Sequence, residues 1–423
     1  MLHRASRFWY KLAALFLALV LIVPVLAACG KEKETTLPTA TASPVTTPTA
    51  TPSMTATPTA MPTSVATPTP TPTGPVKIGA ICAWSGPAAP SGILADQMIA
   101  LVEDQVKNQG GILGGRMVDF IRGDSRGMVS EAAAQARKLI QEDKVTILTL
   151  GGESGAESTA VADVVEELKV PFAAFTTVDN VEARKYSVAL YGFSPAINAG
   201  VGFINDMVKP KTVAFLALDT APNHTVIEGI RTGVEAKGAT TVYEQYYSMD
   251  TIDFSPYLTK IKYLKPDLLV SHTLMGDAIS IVKQMLELGG WGGTTYYAAS
   301  PAAASPSVVK VPATVGSYVA VLWLPDSDEP GMKAFGDAFK QEYGRLPSTD
   351  LAFYYNSFWT AIKAIELANS DDPIKVAQAL RSGNLEWDSA YGPMLIPTTG
   401  QAAINEMVAQ VQAVGKLVKV WPQ

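Results

Sequence analysis

Between residues 76 and 299, short apolar runs alternate with stretches in which apolar positions recur every three or four residues. These two periods mark strands and helices in regular turn. Val76 to Ile81 reads as a buried strand, followed by a Gly/Pro-rich loop from Ser85 to Gly92. Ala95, Met98, Ile99, Val102 and Val106 then share one helical face, which Asn108 to Gly111 terminates. The pattern continues with a strand at Val118 to Ile121, a helix from Glu131 to Gln141 and a strand from Val145 to Leu150. A helix from Gly155 to Lys169 and a strand from Val170 to Thr176 close this first series.

A second series begins at Thr212 to Leu216, with further strands at Thr241 to Tyr247, Asp267 to Ser271 and Thr295 to Ala299. Helices are expected between them at Val226 to Lys237, Pro256 to Leu264 and Asp277 to Leu288, with Ser255 capping the second. Alternation at this rhythm implies parallel sheets covered by helices on both faces. The fold class is therefore α/β, with two doubly wound, Rossmann-like lobes joined by a hinge around Phe193 to Pro195. Three more helices, near Gly331 to Tyr343, Asp350 to Ala368 and Pro373 to Arg381, precede a hairpin of Met407 to Val414 and Leu417 to Val420. The late elements complete both lobes. The first lobe is expected over residues 75–194 plus 300–390, and the second over 195–299 plus 391–423.

The first 74 residues follow different rules. Arg4, Arg7 and Lys11 precede an apolar run from Leu12 to Ala28, the layout of a secretory signal peptide. The run ends in Leu26-Ala27-Ala28-Cys29, which resembles the bacterial lipobox; that resemblance implies cleavage before Cys29 and acylation of its sulfur. From Thr35 to Thr73 the chain is almost entirely Thr, Pro, Ala and Ser, with too few large apolar groups to fold. Its prolines stiffen it toward polyproline II, a tether reaching on the order of 100 Å. Residues 1–29 are thus read as leader and 30–74 as tether.

The remaining roughly 350 residues suffice for two packed cores. Cys82 is their only cysteine, so no internal disulfide supports them. A net charge of -6 with no basic stripe excludes nucleic acid as a partner. Catalysis needs a nucleophile with a base, a metal cluster or a cofactor loop. None is legible, and no catalytic residue, cofactor or metal is expected. His224 and His272 fall near strand ends of the second lobe, where two histidines without a third spaced ligand suit ligand contact or a polar rim better than metal. The chain contains no G-x-x-x-x-G-K-[ST] loop, so it carries no ATPase of its own.

Several stretches together resemble the branched-chain amino acid binding proteins of ABC importers, a type I periplasmic-binding-protein fold. They are Ile78-Gly79 through Ser85-Gly86-Pro87, Gly110 to Arg116, Gly123-Asp124-Ser125, Val170-Pro171, Asp253-Phe254-Ser255 and Lys265-Pro266-Asp267. The resemblance spans the whole folded region. It implies a monomer that closes on a small amino-acid-like ligand and hands it to an ABC permease powered by a separate ATPase. It also implies an exported protein, which Cys29 would hold at the extracytoplasmic face of the cell membrane.

In open α/β sheets, ligands sit beyond the carboxyl ends of the strands. The resemblance accordingly gives Ser154 to a ligand carboxylate, Thr176 and Thr177 to the carboxylate and ammonium, and Asp277 to the ammonium. Trp84 and Ser91 in the first loop, and Asn223 and His224 in the second lobe, complete the candidate set. Ser154 is equally placed to cap its helix, and Asp277 to favour the start of its own. The chain also departs from the family: Val178 replaces a threonine, Ser91 an aromatic, and Asn223-His224 a tyrosine-glycine pair. These changes open the ligand class to amides, urea and aromatic or other carboxylates. A sensory receptor without transport is the alternative role.

Overall fold

The computed structural model describes residues 74–422. The expected leader, Cys29 and the tether to residue 73 lie outside the described residues. The first sheet is parallel, in the order β2-β1-β3-β4-β5. Its strands are β1 (Val76–Cys82), β2 (Val118–Asp124), β3 (Ile147–Leu150), β4 (Phe172–Ala174) and β5 (Ser187–Ala189). Helices α1 (Ala89–Asn108), α2 (Val129–Gln141) and α3 (Gly155–Leu168) connect the first four. Strand alternation sorts side chains to opposite faces. Ile78 and Ala80 of β1 join the cluster containing Met98 and Val102 of α1, and Ile81 joins Leu139 of α2 and Val161 of α3.

The second sheet runs β14-β13-β10-β9-β8-β6-β7. Its elements begin with α4 (Phe193–Phe203), β6 (Thr212–Leu218), α5 (Ala221–Glu235), β7 (Thr240–Tyr247) and α6 (Ser255–Leu264). They continue with β8 (Leu268–His272), α7 (Met275–Glu287), β9 (Thr295–Ala298), α8 (Pro306–Val309) and β10 (Tyr318–Val321). The same sorting holds in β6, where Ala214 and Leu216 face one core and Val213 and Phe215 the other. Thereafter come α9 (Pro330–Tyr343), α10 (Leu351–Ala368), α11 (Pro373–Leu380), β11 (Leu385–Ser389) and β12 (Gly392–Ile396). The antiparallel β13 (Met407–Ala413) and β14 (Lys416–Trp421) end the chain. The two-lobed α/β architecture matches the expectation from the sequence.

Strand pairing differs from the expected crossovers. Tyr318 and Val319 of β10 pair with β9, and β10 pairs antiparallel with β13, so the chain stays in the second lobe through Val321 rather than leaving at residue 300. The β11–β12 hairpin packs against α9 and α10, which keeps residues to 396 with the first lobe. The chain therefore crosses between lobes at residues 190–192, 322–329 and 397–406. Phe193 to Pro195, read as the connection, already belongs to α4. Ser255 is not a cap either: Phe254 holds that position, and the Ser255 hydroxyl donates back to Asp253.

Helix α10 ties the late chain to the first lobe. The Ser357 hydroxyl, fully buried, lies 2.7 Å from Thr149 Oγ1 and 3.1 Å from the Ala173 carbonyl, and it accepts from Leu150 N–H at 3.3 Å. Phe358 meets Phe120 edge-on at 4.8 Å. The first and third crossings also touch: Ala189 N–H donates to Gly400 O and Ala402 N–H to Ala189 O, each at 2.9 Å.

Glu406, in the third crossing, is 3% exposed, and neither carboxylate oxygen meets a hydrogen-bond partner among the described residues. Burial pushes its pKa up to about 8. The folded state thus holds a proton that an unfolded glutamate releases above about pH 4.5. Because the unfolded state binds fewer protons across this window, stability attributable to Glu406 falls as pH rises from about 4.5 to about 8, by up to about 1.4 kcal/mol per pH unit. Glu406→Gln is expected to raise the urea midpoint at pH 8 and to change it little at pH 5. An equal shift at both values would remove the carboxyl from the pH dependence.

Candidate functional site

The carboxyl ends of both sheets carry the polar groups that point to a ligand. In the first lobe, the loop after β1 is fixed by Asp124, whose Oδ1 accepts from the backbone N–H groups of Trp84 at 2.9 Å and Ser85 at 3.1 Å. Burial opposes the Asp124 charge, but bonds from the Ser85 hydroxyl and from the backbone of Arg126, Ser85 and Trp84 outweigh it and hold the carboxyl below its ordinary range. The Trp84 indole donates to Asp96 at 2.8 Å. Gly92 lets α1 close on this loop, since a Cβ there would stand 2.8 Å from the Ala83 carbonyl oxygen.

The loop after β3 runs through left-handed backbone at Leu150, Gly151 and Gly152. Glycine is required at 151, because a Cβ there would meet the Phe172 ring at 2.4 Å. The turn delivers Ser154 to the N-cap of α3, where its hydroxyl accepts from Glu157 N–H at 3.3 Å and lies 3.0 Å from Glu157 Oε2. Glu157 Oε2 also accepts from Glu153 N–H at 2.9 Å. This is a capping box displaced by one residue, because the carboxylate takes the N–H of Glu153 rather than that of Ser154; the protein's own carboxylate thus occupies a hydroxyl and a backbone donor that an incoming anion would use.

Glu153 turns toward the first loop. Its Oε1 accepts from the Cys82 thiol at 3.0 Å and from Ala83 N–H at 3.2 Å, and its Oε2 lies 3.5 Å from the Tyr354 hydroxyl of α10. Burial, reinforced by the Glu153 charge, pushes the Cys82 thiol well above its ordinary pKa, so it stays a neutral, inert thiol. Tyr354 is raised for the same reasons, with Ser91 hydrogen-bonded to it in partial opposition. Thr176 Oγ1 lies 2.9 Å from Ser158 Oγ, and Thr177 Oγ1 lies against Gly155. Trp84, Ser91, Ser154, Thr176 and Thr177 are therefore all on the carboxyl edge of the first sheet.

The second-lobe candidates divide. Asn223 is buried between the ends of β6 and β8, donating to Leu218 O at 2.9 Å and meeting His272 Nδ1 through its Oδ1 at 2.8 Å. His224 turns to the surface, 2.8 Å from Asp219 Oδ1 and stacked on Tyr246. Asp277 accepts from the buried Tyr247 hydroxyl at 2.9 Å, which gives its carboxylate a structural partner.

A cavity of about 690 Å³ opens between the lobes. His272, Met275 and the segment Ser300 to Ala302 line it from the second lobe, Asp350 and Phe353 of the α10 start from the first, and Tyr191 from the first crossing. None of the eight candidate residues lines it. The Tyr191 and Phe353 rings meet edge-on at 5.8 Å, and Phe175 stacks on Tyr354 at 5.4 Å just behind, so the first-lobe wall is aromatic. Asp350 and Phe353 escaped sequence reasoning because they lie some 200 residues beyond the first-lobe loops and carry no local motif.

The sequence profile described as periplasmic binding protein matches residues 75–416. The chain belongs to this family. Among its relatives, a Leu/Ile/Val-binding protein homologue of Brucella abortus is 23% identical over 370 residues, covering 82% of this chain and 91% of that protein. A branched-chain amino acid transporter substrate-binding protein of Streptococcus pneumoniae, solved with isoleucine, superposes with a TM-score of 0.69 at 19% identity. It covers 82% of this chain and 100% of its own. An ABC transporter solute-binding protein of Rhodopseudomonas palustris, solved with 3,4-dihydroxybenzoic acid, gives 0.69 at 21% identity, covering 82% and 96%. The family is one of solute-binding proteins, not enzymes.

Ser154 is tested most directly as a cap. Ser154→Ala is expected to lower stability by about 1 kcal/mol, read as a drop in the urea midpoint. An unchanged midpoint would show that the box carries no stability.

Proposed function

We propose that this protein is the ligand-capturing component of an ABC importer. It is exported, anchored through Cys29 at the extracytoplasmic face of the membrane, and extended on the Thr/Pro-rich tether. A small amino-acid-like or aromatic solute enters between the lobes and is delivered to a permease driven by a separate ATPase. The observation that carries this reading is the cavity of about 690 Å³ lined from both lobes, beside the carboxyl ends of the second sheet. That volume lies in the range typical of small-molecule sites. A ligand touching both walls binds the closed arrangement more tightly than the open one and so shifts the population toward closure. No helix among the described residues is long and apolar enough to cross a membrane.

A thermal-shift screen against α-amino acids, short amides, urea and aromatic acids is expected to raise the melting temperature with one class, since a ligand that binds only the native state stabilises it. X-ray scattering with that compound is expected to show a smaller radius of gyration; an unchanged radius at saturation would refute closure. In cells fed a clickable fatty acid, the wild-type protein is expected to label and to sediment with membranes. Cys29→Ser should lose both properties, and retained labelling would locate the anchor elsewhere.

A further inference from the structure

The hydrogen-bond chain behind the cavity fixes which proton His272 carries. Leu218 O is a backbone carbonyl and can only accept, so the Asn223 side-chain atom 2.9 Å from it is the amide nitrogen. A flipped amide would set two oxygen lone pairs against each other there. The Asn223 atom facing His272 Nδ1 at 2.8 Å is therefore the oxygen, and Nδ1 carries the hydrogen. Burial also pushes the His272 pKa down to about 4, so the ring is neutral at physiological pH. Nε2 is left as a bare acceptor that no donor among the described residues meets; the atom is buried, and His272 is one of the residues lining the cavity.

The rest of the wall has the same polarity. Asp350 is the only other titratable acid or base lining the cavity apart from the Tyr191 phenol, and no lysine or arginine is among the lining residues. Nothing in the wall supplies a cation to a carboxylate. Ser300 and Thr349 can donate or accept, and Tyr191, Phe353 and Met275 supply apolar surface.

We propose that His272 Nε2 receives a hydrogen bond from the ligand, which is an apolar or aromatic solute bearing a hydroxyl, amide N–H or ammonium group rather than a donor-free carboxylate. This rests on the receptor reading above and narrows its ligand class. Asn223 acts as a positioning residue, holding the tautomer without touching the ligand.

Matched pairs test it: 4-hydroxybenzoate against 4-methoxybenzoate, benzamide against methyl benzoate, and leucine against 4-methylpentanoate. The donor-bearing member of at least one pair is expected to bind roughly tenfold tighter, the scale of one buried hydrogen bond. His272→Leu should erase the difference, and His272→Gln, whose amide oxygen still accepts, should keep part of it. In wild-type protein labelled with 15N-histidine, the His272 signal should be that of the Nδ1–H tautomer, with the Nε2 resonance moving when the donor-bearing ligand is added. This readout does not depend on a variant folding. If the two members bind equally in every pair that binds, or Nε2 carries the hydrogen, the receptor reading stands and the inference fails. If no member of any pair binds, the ligand class assigned here is wrong, and scattering with the broader panel decides the receptor reading separately.

Discussion

The Ser357 hydroxyl, buried between β3 and β4, is the contact on which the first-lobe wall of the cavity depends. It accepts from Leu150 N–H and lies close to the Thr149 hydroxyl and the Ala173 carbonyl, so a helix from the last quarter of the chain is bonded to two strands from its first half. Because α10 is held there, its first turn projects Asp350 and Phe353 into the cavity opposite His272. A buried hydroxyl that lost these partners would leave backbone and side-chain groups unsatisfied at a cost of about 1 to 3 kcal/mol each. The same bonds that complete the first core therefore also build half of the binding wall.

The first-lobe loops show how an anion-ready helix terminus changes when the chain brings its own carboxylate. The left-handed turn at Gly151 and Gly152, whose own N–H groups are donated to Ile81 O, leads into the start of α3, and a helix N-terminus attracts negative charge. Glu157 satisfies that demand from within the helix, and Glu153 adds a second carboxylate bonded to the Cys82 thiol and Ala83 N–H. A ligand carboxylate arriving here would meet two negative groups with the best donors already engaged. The cavity wall, too, has no lysine or arginine among its described residues, which is the electrostatic ground for the donor-bearing ligand proposed above.

Much of the fold was legible because both lobes obey simple periods. The buried parallel strands are continuous apolar runs, and the helices between them keep one apolar face, so all four strands expected in each βα series fall where the spacing puts them. The elements missed are short or atypical. Strand β5 has three residues, β10 has four residues and follows a proline-rich stretch, and the β11–β12 hairpin turns at Ala390-Tyr391, with its one turn signal, the left-handed Gly392, placed after them rather than within the pair. Those omissions displaced the expected crossovers. The site was legible only as loops at sheet edges. Spacing cannot reveal that Asp277 bonds to a buried tyrosine or that His224 turns to the surface while His272 turns inward, because each is decided by tertiary partners.

Three crossings also restrict how the lobes can move. Two of them run side by side, because Gly400 and Ala402 of the third are bonded to Ala189 at the end of β5, where the first begins, so they bend together as a short ribbon rather than sliding past one another. Gln401 donates to Ala189 O at 3.1 Å and fills the space where a Cβ on Gly192 would stand, locking the ribbon's register. The second crossing, residues 322–329, has no backbone hydrogen bond to it among the described residues, which leaves rotation about the ribbon less opposed than sliding. Tyr191 leaves this ribbon and enters the cavity wall. A residue of the cavity wall is thus part of a segment that joins the lobes, so under the proposed function a ligand stacked on Tyr191 would couple occupancy to closure without a separate relay.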